Sequence, residues 1–354
     1  MKEPAFRQLP ALDPATARVA VVMPVRNEEA FVGGALESVL AQSFDSDRLE
    51  ILVVDGMSSD RTVATVESLL IGDAAAAAGG APTARRPRGR VVPNAAGTIP
   101  AGLNVGIRET TADVIVRVDG HCRLAADYVE TCVRLLAETG AANVGGLMRP
   151  RGQGLVGEAM ALALCSKFGI GDSRFHYSER QEFVETVYLG AFRRAVWEEV
   201  GGYDEALLAN EDFELNHRIG DAGYGVLLSP EIRSTYIPRG ELPLIAQQFY
   251  RYGRWKSHVM RKHPLSIRPR HVAAPALVAL ISLTLPLYLL TGRRRWISPL
   301  VGYGCAVMGA SVATAGPKRL ALPLLGVFPA MHLSWGSGVL MGLARSFGDT
   351  ANRS

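Results

Sequence analysis

Residues 18–25, RVAVVMPV, and residues 49–55, LEILVVD, decide the fold. Both are short β-branched apolar runs without polar alternation, the pattern of parallel strands buried on both faces. Between them, residues 28–43 carry Phe31, Ala35, Leu36, Val39 and Leu40 at helical spacing. A second helix is expected to start at Ser58-Ser59-Asp60, whose side chains can cap it, and to run through Val63, Val66 and Leu69-Leu70. The rhythm continues with a strand at 90–92, a helix at 99–108, a strand at 114–119 and a helix at 126–136. Repeated strand–helix units of this length argue for an open α/β sheet.

Downstream the pattern loosens. Strands are expected at 142–148, 186–191, 225–228 and 234–237, and helices at 193–200 and 212–222. Residues 73–90, DAAAAAGGAPTARRPRGR, are low in complexity and read as a mobile insertion. Residues 242–261 mix Leu244, Ile245, Phe249, Tyr252, Trp255 and Val259 with Arg251, Arg254, Lys256 and Arg261, an amphipathic basic helix suited to a membrane interface.

The tail sets the compartment. Residues 272–291, 296–317 and 320–344 are uncharged runs of 20, 22 and 25 residues, the last broken in polarity only by His332. Each matches the roughly 20 apolar residues that a helix needs to cross about 30 Å of hydrocarbon. The chain carries +4 overall, but the part after His271 carries +6, leaving −2 upstream. That describes a near-neutral globular part with a basic apolar tail, not a nucleic-acid-binding surface. Four cysteines without a C-x-x-C pair argue against a zinc or disulfide framework and fit a reducing compartment. The first 19 residues hold charges and no apolar core, so a cleaved signal peptide is not expected.

Ligands of open α/β sheets bind beyond the C-terminal ends of strands. Four polar clusters fall there: 24–28 (PVRNE), 55–60 (DGMSSD), 94–97 with Asn104, and 119–121 (DGH). Neither a dinucleotide fingerprint nor a phosphate loop is present. Asp119 and His121 can reach one divalent ion, which would neutralise a diphosphate, yet an Asp-Gly after a strand is more often a turn and His121 also reads as a hydrogen-bonded loop residue. Asp55 is either a turn residue or a ligand for a base N–H. Asn210-Glu211-Asp212 is either a helix cap or the place of a general base.

The motifs VVMPVRNEE (21–29), VVDGMSSDRT (53–62), RVDGH (117–121), GGYDE (201–205), NEDFEL (210–215) and RYGRW (251–255), in this order, resemble the inverting nucleotide-sugar glycosyltransferases of family 2. Within that family the chain is similar to the membrane-anchored succinoglycan-type exopolysaccharide enzymes. The resemblance implies a GT-A fold, a Rossmann-like mixed α/β open sheet flanked by helices, with a C-terminal transmembrane region. The implied domains are 1–240 catalytic, 241–271 interface helix and basic linker, 272–344 about three transmembrane helices, and 345–354 tail.

By position, the resemblance implies that Pro24, Arg26 and Glu28 line the nucleotide pocket, with Glu28 near the ribose. Asp55 would take the uracil ring, Arg117 would lie near the diphosphate, and Asp119 and His121 would hold Mg2+ or Mn2+. Asp212 matches the catalytic base with Glu211 orienting it. Arg254 would meet the donor and Trp255 the acceptor, while Arg251, standing where processive enzymes carry Gln, points to addition of a single sugar. The implied reaction moves a glucose-like hexose from a UDP-sugar to a hydroxyl of a lipid-linked glycan, in exopolysaccharide or envelope glycan synthesis. It implies a multi-pass protein of the cell (inner or plasma) membrane with its catalytic domain in the cytoplasm. Two other readings stand beside it: one keeps the fold and the chemistry but transfers directly to polyprenyl phosphate, and one differs in class, a transporter or nucleotide-sensing scaffold without catalysis. Against the last, no Asp, Glu or Lys falls inside the apolar runs.

Overall fold

The computed structural model describes residues 6–71 and 86–351, with side chains described as far as Arg345. Of the low-complexity stretch, residues 73–85 lie outside the described residues, while 86–90 lead into and begin a strand. The chain divides into two units, the first comprising Met1–Arg149 and Ser178–Tyr236, the second Pro150–Tyr177 and Ile237–Ser354. The boundary expected near residue 240 is therefore only part of the division, because residues 150–177 belong with the C-terminal unit.

The first unit alternates β1 (Val19–Val25), α1 (Val32–Leu40), β2 (Leu49–Asp55), α2 (Thr62–Ile71), β3 (Arg88–Pro93), α3 (Ile99–Arg108), β4 (Val114–Arg117), β5 (Cys122–Leu124), α4 (Tyr128–Thr139) and β6 (Asn143–Pro150). The second unit contributes α5 (Gly154–Leu164) and α6 (Lys167–Ile170). The first then resumes with β7 (Glu182–Phe183), β8 (Tyr188–Arg193), α7 (Arg194–Val200), α8 (Glu211–Asp221) and β9 (Val226–Tyr236). The strands form one sheet in the order β3-β2-β1-β4-β8-β6-β9-β5, with β7 on β9. β3, β2, β1 and β4 run parallel, whereas β8 is antiparallel to both β4 and β6. This is the mixed α/β open sheet expected from the sequence.

Every residue of β1 is buried, and so are all of β2 but Glu50, as strands covered on both faces require. Each fully buried Val, Leu or Ile stabilises the unit by roughly 1.5–3 kcal/mol. On α1, Val32, Ala35, Leu36 and Val39 form the buried stripe. α1 starts four residues later than expected; α2 starts at Thr62, where Asp60 accepts from the Thr62 backbone N–H (3.0 Å) ahead of the first turn. The register sets Val25 opposite Asp55 and Val22 opposite Arg117, so β1, β2 and β4 end on one edge. The two strands expected at 225–228 and 234–237 are one continuous β9, which passes through Pro230 at a partly exposed position.

In the second unit follow α9 (Leu242–Lys262), α10 (Pro269–Thr291), α11 (Ser298–Thr314) and α12 (Ala321–Ala351). α9 lies close against α12: a Cβ added to Gly253 or Gly338 would collide with the carbonyls of Trp335 and Tyr250. About three spans were expected, but among the described residues two helices are long and apolar enough to cross a membrane, Pro269–Thr291 and Lys318–Arg345. Only 11% of the apolar window of the first is buried, and 39% of the second. α11, at 17 residues, reaches about 26 Å at 1.5 Å per residue, short of the hydrocarbon core. The tail expected from 345 is not separate, since α12 continues to Ala351.

Candidate active site

The loops after β1 and β2 are tied to one another. Asn27 donates its backbone N–H to Ser58 Oγ (3.0 Å) and accepts from Ser59 N (2.9 Å), while Glu28 N donates to Thr62 Oγ1 (2.8 Å). Asn27 and Met57 both adopt positive φ, at 54° and 62°, the turn that brings the loops together. Asp55, buried at the end of β2, accepts from Ser58 N at 3.1 Å. Arg26 donates to Gly97 O (3.0 Å), fastening the loop after β3, and Asn94 closes that loop onto Thr98 O (2.8 Å). Pro24 sits within β1, opposite Val54.

Arg117 ends β4 with 6% of its surface exposed. Its Nε donates to Asp119 Oδ1 (2.9 Å), and its Nη1 lies 3.0 Å from Glu211 Oε1. The Nη1 hydrogens are not aimed at Glu211, so that contact is an ion pair and not a hydrogen bond. Burial works against the guanidinium charge, but Asp119 and then Glu211 outweigh it and hold its pKa well above the usual Arg value. Glu211 is itself buried, which pushes its carboxyl up against the pull of Arg117. Arg117, expected near the diphosphate, thus directs its charge at two protein carboxylates.

Glu211 and Asp212 open α8, where backbone N–H groups favour acids. Asp212 is partly exposed, unlike Glu211, and its Oδ1 accepts from Phe213 N (2.7 Å). Two clamps hold the preceding loop. Asn104 donates to Tyr203 O (2.8 Å) and Glu205 Oε1 (2.8 Å) and accepts from Tyr203 N (2.9 Å). Arg218 grips the fully buried Glu214 through Nε (3.0 Å) and Nη2 (2.7 Å) and also donates to the carbonyls of Val200 and Gly202. The i,i+4 spacing of Glu214 and Arg218 is the sequence signal for this pair.

On the other flank, His121 Nδ1 meets Glu28 Oε1 at 3.2 Å, and the imidazole and the Tyr236 ring meet edge to face, centroids 5.6 Å apart. Glu28, expected near the ribose, therefore contacts the imidazole. Ligand atoms of Asp119, His121 and Cys122 lie within 4.8 Å of one another. Burial raises the Cys122 thiol pKa far above its usual value, and its Sγ shares a hydrogen bond with Tyr188 Oη (2.6 Å). The donors available to a divalent cation are thus the Asp119 carboxylate and the His121 imidazole, an oxygen and a nitrogen. A carboxylate only accepts, so Nδ1 is the donor to Glu28, and in the neutral ring the lone pair then falls on Nε2, the tautomer a metal-bound His takes. The pair fits a cation. Nothing in the sequence pointed to Tyr188 and Tyr236 beside it.

Pro24, Arg26, Glu28, Asp55, Arg117, Asp119, His121, Glu211 and Asp212 all belong to the first unit. Arg254 and Trp255 lie on α9 of the second unit, where Trp255 packs on His258, centroids 4.8 Å apart.

The model of glycosyl transferase family 2 matches residues 20–201, just over half of the chain. The chain belongs to this family. It is 27% identical to the succinoglycan biosynthesis protein ExoA of Rhizobium meliloti (strain 1021) over 332 residues, covering 90% of this chain and 92% of that one. It is 24% identical over 250 residues to a dolichyl N-acetyl-alpha-D-glucosaminyl phosphate 3-beta-D-2,3-diacetamido-2,3-dideoxy-beta-D-glucuronosyltransferase of Methanococcus voltae, covering 69% and 74%. Among solved structures, the mannosyltransferase PcManGT from Pyrobaculum calidifontis, in complex with GDP-Man and Mn2+, superposes with a TM-score of 0.57 at 19% identity, covering 97% of this chain and 91% of that one. The fold is GT-A and the protein is a glycosyltransferase. A transporter or scaffold without catalysis is set aside.

Proposed function

We propose that this glycosyltransferase moves one glucose-like hexose from a UDP-sugar to a hydroxyl of a lipid-linked glycan, inverting the anomeric carbon, in exopolysaccharide or envelope glycan synthesis. The reading is carried by one contrast: Asp212 is partly exposed at the start of α8, whereas its neighbour Glu211 is buried against Arg117. Asp212 is the carboxylate with access to an acceptor, and it takes the proton as the hydroxyl attacks in line. A single displacement requires no covalent intermediate, so an α-linked donor gives a β-linked product.

Asp119 and His121 would hold Mg2+ or Mn2+, which when bound neutralises the charge developing on the leaving nucleoside diphosphate. Glu28 orients the imidazole, Asp55 accepts from the base, and Pro24 and Arg26 shape the nucleotide loop. Arg254 and Trp255 keep the roles that the resemblance implies, toward donor and acceptor. The two long apolar helices and the similarity to ExoA support a protein anchored in the cell membrane with its donor site on the cytoplasmic side, where nucleotide sugars are made. A donor screen with washed membranes tests the proposal. Radiolabel from one UDP-hexose should enter a lipid-extractable product only with a divalent cation present. Label that stays water-soluble with every UDP-sugar would overturn it.

A further inference from the structure

The Arg117 guanidinium is buried and turned toward two protein carboxylates, whereas its position in the motif implies a place near the donor. We infer that Arg117 is a positioning residue that couples the cation-binding carboxylate Asp119 to Glu211 at the start of α8, so that one side chain sets both the cation affinity and the placement of Asp212. The inference rests on the cation and base roles proposed above.

The geometry carries it. Arg117 engages Asp119 through Nε (2.9 Å) and Glu211 through Nη1 (3.0 Å), a fork that spans two motifs 92 to 94 positions apart. Asp119, Glu211 and Asp212 all act on this guanidinium. Three carboxylates against one guanidinium leave two negative charges, the complement of one divalent cation. Nη1 makes no hydrogen bond, so its contact with Glu211 can tighten when a cation draws Asp119 away from Nε. Arrival of the cation at Asp119 would then lend Arg117 more fully to Glu211 and fix the first turn of α8. A lysine cannot do this, because an ammonium lacks the planar fork.

The test is titration of the purified full-length protein with Mn2+ alone, read by loss of the free-ion paramagnetic resonance signal, with thermal melting to establish folding. Removing the guanidinium in Arg117→Met strips a competing positive charge from Asp119, so Mn2+ should bind about tenfold more tightly. In the same variant kcat should fall at least about a hundredfold, with KM for the donor changing little. Arg117→Lys keeps the charge and should leave Mn2+ affinity near that of the wild type while recovering only part of kcat. Glu211→Gln should act in the opposite sense, weakening Mn2+ several-fold as Arg117 turns wholly to Asp119. A purely structural Arg117 would lower the melting temperature and weaken Mn2+ binding together with activity. Unchanged or weaker Mn2+ binding in folded Arg117→Met overturns the inference. If that variant does not fold, unchanged or tighter binding in Glu211→Gln does. Wild-type protein that binds no Mn2+ would overturn the cation reading itself, a result distinct from wild-type binding that Arg117 and Glu211 variants fail to alter.

Discussion

His121 Nδ1 and Glu28 Oε1 meet at 3.2 Å, joining the loop after β4 to the loop after β1. The bond orients the ring, so Glu28 would act through the imidazole on a cation held there as proposed. Outer partners of this kind are typically worth 10–100-fold in metal affinity. Glu28→Ala should therefore weaken Mn2+ binding by about that factor while leaving the melting temperature nearly unchanged. Glu28→Gln, which can still accept through its amide oxygen, should fall between. Equal Mn2+ affinity in Glu28→Ala and wild type would show that the contact does not orient a ligand.

The loop holding Tyr203 is fastened from two sides, and its clamps differ in kind. Arg218 neutralises Glu214, which has no exposed surface, and removal of one partner of a buried pair costs about 3–5 kcal/mol. Arg218→Met should destabilise the first unit by that amount, read as a lower denaturant midpoint. The double variant Arg218→Met/Glu214→Leu should recover most of the loss, because no uncompensated charge then remains. Failure of the double variant to recover would mean that the bonds to Val200 O and Gly202 O carry the clamp.

The sheet was legible because its parallel strands are buried on both faces: RVAVVMPV and LEILVVD have no polar alternation to confuse them with surface strands. The strand ends were legible for the same reason, since PVRNE, DGMSSD and DGH each follow a run that can only be a buried strand. β9 was not, because Ser229-Pro230-Glu231 interrupts its apolar pattern while the backbone continues through it. α5, GLVGEAMALAL, carries apolar residues around most of its circumference and no capping side chain, so neither period nor start marked it. The role of Arg117 was beyond reach for a different reason. Its partners lie 2 and 94 positions away, and no local pattern records that burial turns a charge from a ligand toward protein.

His176 gives the protein a pH dependence of calculable sign. Its Nδ1 is buried without a hydrogen-bond partner, although other parts of the residue are partly exposed. Burial, and then the nearby Arg270 charge, lower its pKa from 6.5 to about 3. The unfolded chain takes up a proton below 6.5 that the folded protein refuses until about 3. Stability from this group is thus present above 6.5 and is lost as pH falls toward 3, by at most about 1.4 kcal/mol per pH unit. His176→Phe should flatten that part of the stability profile in detergent. An unchanged slope between pH 6 and 4 would assign the acid sensitivity to other groups.

Asp119 and Asp212 should separate binding from chemistry. Asp119→Ala removes the carboxylate proposed to hold the cation, so both turnover and cation-dependent donor binding should disappear. Asp212→Asn keeps the shape of the first turn of α8 and the acceptor for Phe213 N, but cannot take a proton. Donor binding should survive in it, while transfer to a hydroxyl falls by about 10²–10⁴-fold, the range that general base catalysis supplies. An acceptor that is already an ionised phosphate needs no base, so near-normal turnover in Asp212→Asn would indicate transfer to polyprenyl phosphate instead. Weakened donor binding in Asp212→Asn would mean that the side chain serves the nucleotide, and the proton would then have to leave by another route.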